Sequence, residues 1–131
     1  MACMKNKKPD TRPVNLNLLK IRQPVTAIAS IGHRISGVFL FLSIPFVIWL
    51  LGHSLQGPQG FADVGALLDK GVVKLMVLML TWSVAHHFFA GIRFLLMDID
   101  IGIELATART TAMVVNVLGV CGALIAMAMI L

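Results

Sequence analysis

Three long apolar runs decide what this chain can fold into: Ile35 to Leu51, Val72 to Met97, and Thr110 to Leu131. Ionisable groups interrupt the second run only at Lys74, His86, His87 and Arg93. About 20 residues at roughly 1.5 Å rise cover a hydrocarbon core about 30 Å thick, so each run can cross a bilayer. A bilayer offers no water to the backbone, and three segments cannot close a barrel, so the spans must be helices. With 58% of 131 residues hydrophobic, a soluble globule of this size is not expected. The expected fold class is all-α, a single membrane-anchor domain over the whole chain. A polar arm is expected up to about residue 23, then transmembrane helices over about 24–51, 72–97 and 106–131. A cleaved signal peptide does not fit the first run, which begins too deep in the chain and is too long.

Orientation follows from the basic residues. Lys5, Lys7, Lys8, Arg12, Lys20 and Arg22 precede the first span against the single acid Asp10, whereas the next loop carries only Lys70 and Lys74 near its end. The positive-inside rule then puts the N-terminus in the cytoplasm and, after three crossings, the C-terminus outside. Topology is a sufficient explanation of the net charge of +5, and no nucleic-acid partner is expected. Cys3 and Cys121 form neither a disulfide framework nor a zinc site, and without a CxxCH any haem would be held non-covalently. The lysine-bearing N-terminal segment has no amphipathic arginine-rich helix, which favours a multi-pass protein of a bacterial inner (plasma) membrane.

Along the chain, Pro24 is expected to open helix one at its first position, and Pro45 to kink it. After Gly57-Pro58-Gln59-Gly60, the residues Phe61, Val64 and Leu68 suit one face of a short interfacial helix, and His53 reads as a solvated loop residue. The last span carries Gly119 with Ala123 and Gly122 with Ala126, small pairs that permit close helix contact. Asn116 is its only polar interior residue besides Cys121, so packing rather than chemistry is expected of it.

The chemistry concentrates in SVAHHFFAGIRFLLMD, Ser83 to Asp98. At about 100° per residue, Ser83, His87, Ala90, Gly91 and Phe94 share one face, and His86 joins Trp82, Phe89 and Arg93 on a neighbouring one. The plainer reading is that small residues admit another helix and His87 bonds across it. That leaves unexplained why a titratable group is used at a depth where it is costly without a partner or a task. Neutral imidazole is a good axial ligand to haem iron. His86 cannot supply the opposite ligand, since neighbours on one helix do not point at one iron from both sides, so that ligand would come from another chain. In helix one, Ser30, His33, Arg34 and Gly37 share a face by their i, i+3, i+4, i+7 spacing. His33 and Arg34 are placed to meet haem propionates or a quinone head, and Ser30 to bond a quinone carbonyl. Snorkelling to the headgroups is the alternative for Arg34.

Two motifs resemble a known family. The first is Arg12-Pro13-Val14 followed at a set distance by SIGHRISG, Ser30 to Gly37. The second is HFFAGIRFLLMD, His87 to Asp98. Together they resemble the cytochrome b subunit of succinate dehydrogenase, one of the two membrane anchors of respiratory complex II. The resemblance implies that His87, four residues before Gly91, is the axial ligand of one haem b, leaving His86 as an extra. It implies that Ser30 and Arg34 belong to the ubiquinone site and that His33 and Arg34 lie near the haem propionates; His86, Arg93 and Asp98 are candidate accessory residues. It further implies a second membrane anchor subunit supplying the other ligand, and electrons arriving from succinate through flavoprotein and iron-sulfur subunits. The chain would be a non-autonomous component of the enzyme, surrounded by lipid. Asp100 departs from the family, which usually has a small residue there. The rival readings are the anchor of a quinol-fumarate reductase, a proton or ion pathway through His33, His86, His87 and Arg93, and a structural anchor without haem.

Overall fold

A computed structural model of the chain describes residues 21–130. Most of the polar arm, with the Arg12-Pro13-Val14 motif, the basic residues up to Lys20, and Cys3, lies outside the described residues, as does Leu131. Among the described residues there are four helices and no strand: α1 (Val25–Ser54), α2 (Pro58–Leu68), α3 (Gly71–Asp98) and α4 (Leu105–Ile130). Helices α1, α3 and α4 are each long and apolar enough to cross a membrane.

Pro24 is the cap of α1 rather than its first helical residue. Its φ of −66° and ψ of 151° are extended, and its carbonyl accepts from the Ala27 and Ile28 amides at 2.9 and 3.2 Å. The proline ring fixes φ at a value shared by helix and extended chain, so ψ is free to choose the cap. Helix α1 continues through Pro45 and ends at Ser54, beyond the last apolar residue of its run. Ser54 Oγ donates to the Leu51 carbonyl at 2.8 Å, an acceptor it shares with the Leu55 amide at 3.1 Å. His53 therefore lies in the last turn of α1 and not in a loop. Its ring stacks on Trp49 at 5.7 Å and its Nε2 is 3.7 Å from Asp63 Oδ2 of α2.

Helix α3 packs against both α1 and α4, which also touch each other, and its C-terminal stop explains the departure at Asp100. The Ile101 amide donates to the Leu96 carbonyl at 2.9 Å and the Asp100 amide to Met97 at 3.1 Å. These are the two bonds of a Schellman stop, which requires its intervening residue to adopt a left-handed conformation. Asp100 does so, with φ of 62°. Glycine is the usual occupant and aspartate is one of the few others that tolerate it.

Helix α4 packs through Ala108, Ala112, Val115, Gly119 and Ala126, a stripe of mostly small residues at three-, four- and seven-residue spacing. A Cβ on Gly122 would come 2.7 Å from that of Ala85 on α3, so the two backbones approach as closely as side-chain atoms allow. At one end of the bundle Lys74 Nζ donates to the Ile130 carbonyl at 3.2 Å. The buried set is small or polar, with Ala29, Ser36, Ser83, Ala90, His86 and Arg93 among its members, while Phe41, Leu42, Ile48 and Ile125 stay exposed. In water this is inverted; in lipid the large apolar groups are solvated and association depends on close contact and polar bonds.

Candidate functional site

Four turns into α3 the chain places His86 and His87 on different neighbours, because successive residues on a helix point about 100° apart. His87 faces α1. Its Nδ1 donates to the backbone carbonyl of His33 at 3.0 Å and lies 3.1 Å from Ser36 Oγ. The Ser36 hydroxyl itself donates to the same carbonyl at 2.9 Å. Since a carbonyl oxygen can only accept, the proton of the His87 ring is held on Nδ1, shared between two oxygens. Nε2 then carries the bare lone pair. The His33 imidazole stacks on His87 with centroids 4.1 Å apart and planes within 13°, and the Phe94 ring lies 5.2 Å from His33, tilted by 57°.

The glycine that makes room for the His87 ring is on the opposite helix. A Cβ on Gly37 would lie 3.0 Å from His87 Cε1, whereas one on Gly91 would meet His33 Nε2 at an ordinary 3.8 Å. The face shared by His87 and Gly91 thus receives the His33 ring.

His86 and Arg93, on the neighbouring face, turn to α4. His86 is 2% exposed and donates from Nε2 to Asn116 Oδ1 at 3.1 Å. Arg93, 7% exposed, donates from Nε to Thr111 Oγ1 at 3.0 Å and from Nη2 to the Ala108 carbonyl at 3.1 Å. Its guanidinium is committed to binding two helices together. Asn116 therefore has a polar partner across α3 and α4, which its place in an otherwise apolar helix had not revealed.

Of the other residues singled out by sequence, Ser30 is half-buried, Arg34 exposed, and Asp98 exposed as the last residue of α3. Among the described residues none of the three makes a side-chain hydrogen bond or ion pair with the histidines. Ser36 joins the site from one turn beyond His33, inside the SIGHRISG motif; Gly32, Gly37 and Thr111 carry no sequence signal except their smallness or position. The polar bonds of His86 run to α4 and those of His87 to α1, so among the described residues no chain of hydrogen bonds joins the histidines into a relay.

The donor set suits a haem iron. An imidazole whose Nδ1–H is held by a carbonyl has a fixed tautomer, a fixed ring direction and a more basic Nε2, the usual arrangement of a metal-ligating histidine. Among the described residues no three His, Cys, Asp or Glu side chains gather to hold a metal by themselves. One oriented imidazole is what a macrocycle-bound iron requires of one protein face.

Comparison with known proteins agrees with the motifs. A family model described as succinate dehydrogenase/fumarate reductase transmembrane subunit matches residues 8–126. The chain is 41% identical over 107 residues to the succinate dehydrogenase cytochrome b556 subunit of Coxiella burnetii (strain RSA 493 / Nine Mile phase I), covering 81% of this chain and 86% of that relative. It is 29% identical over 101 residues to the protein of the same description from Paracoccus denitrificans, with 77% and 78% covered. To that of Rickettsia prowazekii (strain Madrid E) it is 25% identical over 111 residues, with 85% and 86% covered.

Proposed function

Since the chain belongs to the succinate dehydrogenase/fumarate reductase transmembrane subunit family, we propose that it is the cytochrome b membrane anchor of a succinate dehydrogenase. His87 Nε2 would hold one haem b, with a second anchor subunit supplying the other ligand, and the chain contributes to a ubiquinone-reduction site. An iron-sulfur subunit and a flavoprotein subunit complete the enzyme on the cytoplasmic face of a bacterial inner membrane. The N-terminus lies on that side and the C-terminus outside. The whole chain acts as one anchor domain and is not catalytic alone. Relatives named as succinate dehydrogenase subunits support the direction from succinate to quinone over the fumarate reductase alternative.

One observation carries the haem assignment: His87 is the histidine whose Nδ1 donates to a backbone carbonyl, while His86 spends its Nε2 on Asn116. When bound, haem supplies a one-electron carrier. This chain's contribution is to present Nε2, hold the Nδ1 proton on the His33 carbonyl and Ser36, and restrict ring rotation by the stacked His33. At the quinone, Ser30 offers a hydroxyl to a carbonyl oxygen. Arg34, one turn later on α1, offers fixed positive charge where negative charge develops as the quinone takes up two electrons and two protons.

The purified complex tests the reading. Dithionite reduction should give a b-type spectrum in the wild type, and His87→Ala should remove it or leave it at a small fraction of full occupancy. Retained low-spin b-type absorbance at full occupancy in His87→Ala would reject the assignment.

A further inference from the structure

His86 has no part in the site described above, yet it is the most tightly enclosed ionisable group among the described residues. Its imidazole fills a notch made by glycines on two different helices. A Cβ on Gly32 of α1 would lie 2.7 Å from Cε1 and 2.9 Å from Nε2, and a Cβ on Gly119 of α4 would lie 3.0 Å from the His86 Cβ and 3.1 Å from Cδ2. Trp82, one turn earlier on α3, leans on the ring at 5.3 Å. The hydrogen bond to Asn116 uses Nε2, and Nδ1 is buried with no partner among the described residues.

Asn116 Oδ1 accepts, so the His86 proton sits on Nε2 and the unpartnered Nδ1 is an acceptor. The ring meets α1 at Gly32 through Cε1 and Nε2, its two atoms nearest a Cβ there. A group so enclosed is a poor ligand and a poor relay. It is well suited to fixing where α3 sits. A flat ring between two glycines resists sliding along either helix, and the bond to Asn116 sets rotation about the α3 axis.

We infer that His86 is a positioning residue for the haem ligand: wedged between Gly32 and Gly119 and tied to Asn116, it fixes the rotation and depth of α3, and thereby the direction of His87 Nε2. This rests on the reading of His87 as the haem ligand. The coupling is rigid because the two histidines are consecutive on one helix. Side-chain tips lie about 5 Å from a helix axis, so a turn of about 10° moves a ring nitrogen by about 1 Å. Productive geometry in such sites is held to about 0.5 Å, so a small loss of register at His86 is felt at the iron. The His33 carbonyl, on the same helix as Gly32, shares the consequence, because the notch and the acceptor for His87 Nδ1 are one residue apart on α1.

The test uses the complete complex carrying His86→Leu, His86→Gln or Asn116→Leu. Haem release to excess apomyoglobin and the low-spin electron paramagnetic resonance signal of the oxidised haem are recorded. All three variants should keep a b-type spectrum, since His87 is intact. His86→Leu and Asn116→Leu should release haem about 10-fold faster or more, the size of effect typical of residues that orient metal ligands. The same two variants should shift the largest g value. His86→Gln, which can still donate to Asn116, should return both readouts toward wild type. A role in bundle stability alone would lower yield or thermal midpoint while leaving the g values of the bound haem unmoved, and would overturn the inference. If His86→Leu does not assemble, Asn116→Leu decides, because it leaves the imidazole in its notch; unaltered release and g values there would overturn the inference. A wild-type complex without any b-type spectrum would sink the haem reading and this inference with it, whereas a normal wild-type spectrum with unmoved variants would sink this inference alone.

Discussion

The ring nitrogen of His87 on α3 and the backbone carbonyl of His33 on α1 meet at 3.0 Å across 54 positions of sequence. Because the acceptor is main chain, no substitution of the His33 side chain removes it directly. Ser36 is the side chain that can be altered: its Oγ lies 3.1 Å from the same nitrogen and its hydroxyl donates to the same carbonyl. Ser36→Ala should weaken haem retention by roughly 5-fold, as expected for one hydrogen bond worth about 1 kcal/mol, without abolishing the b-type band. Haem content after gel filtration of the complex measures this, and unchanged retention would remove Ser36 from the account.

Gly37 sets the space for the same ring. Gly37→Ala brings a Cβ to 3.0 Å from His87 Cε1, and Gly37→Val adds methyls that the ring cannot avoid without moving. Overpacking of this kind costs about 1–3 kcal/mol, so the valine variant should assemble poorly or lose haem. Gly91→Ala, with 3.8 Å available, should be much milder toward the His33 ring. Equal damage from the two alanine variants, read from haem occupancy per complex, would contradict this ordering.

Quinone reduction separates from haem binding at Ser30. Ser30→Ala and Arg34→Leu should each depress succinate-to-quinone turnover by about 10-fold or more, the order lost when one preorganised donor is removed. Electron transfer from succinate to an artificial acceptor that draws from the flavin should persist. Wild-type quinone reduction with unchanged inhibitor sensitivity in an assembled Ser30 variant would withdraw Ser30 from the site.

Topology is checked by fusion. A reporter active only outside the cytoplasm, joined after Leu131, should be active, given six basic residues and one acid before the first span. Silence from a stable fusion would reverse the orientation and move the quinone site to the other leaflet.

The turn after α3 offers a stability test remote from the chemistry. Asp100 holds φ of 62°, so Asp100→Gly should leave spectrum and turnover unchanged and stabilise the complex by at most about 1 kcal/mol. A lowered thermal midpoint would mean that the aspartate side chain contributes something beyond its backbone conformation.

The number and identity of the membrane helices were legible in sequence, because length and hydropathy alone decide which segments lipid will solvate. That His86 and His87 occupy different faces of α3 was legible too, from helical periodicity, and the spacing of His87 to Gly91 and Arg93 resembles a family motif. The stop at Asp100 was visible only as a departure, since a left-handed residue is defined by the bonds of Ile101 and Asp100 back to Leu96 and Met97. What sequence could not tell was the partner of each polar group. The His87 bond ends on a backbone carbonyl, which every residue possesses and no sequence marks. Asn116 resembled a lone polar residue in a packing helix until the crossing of α3 and α4 put it 3.1 Å from His86. Gly32 and Gly37 are informative only through what a Cβ would strike on another helix, and Gly119, legible as a small contact residue, shows only in the fold that it receives His86. Sequence by itself determined that three helices are long and apolar enough to cross the membrane and that the two histidines lie on different faces of α3. Tertiary structure alone decided which acceptor fixes each imidazole, because those contacts depend on the depth and rotation at which separate helices meet.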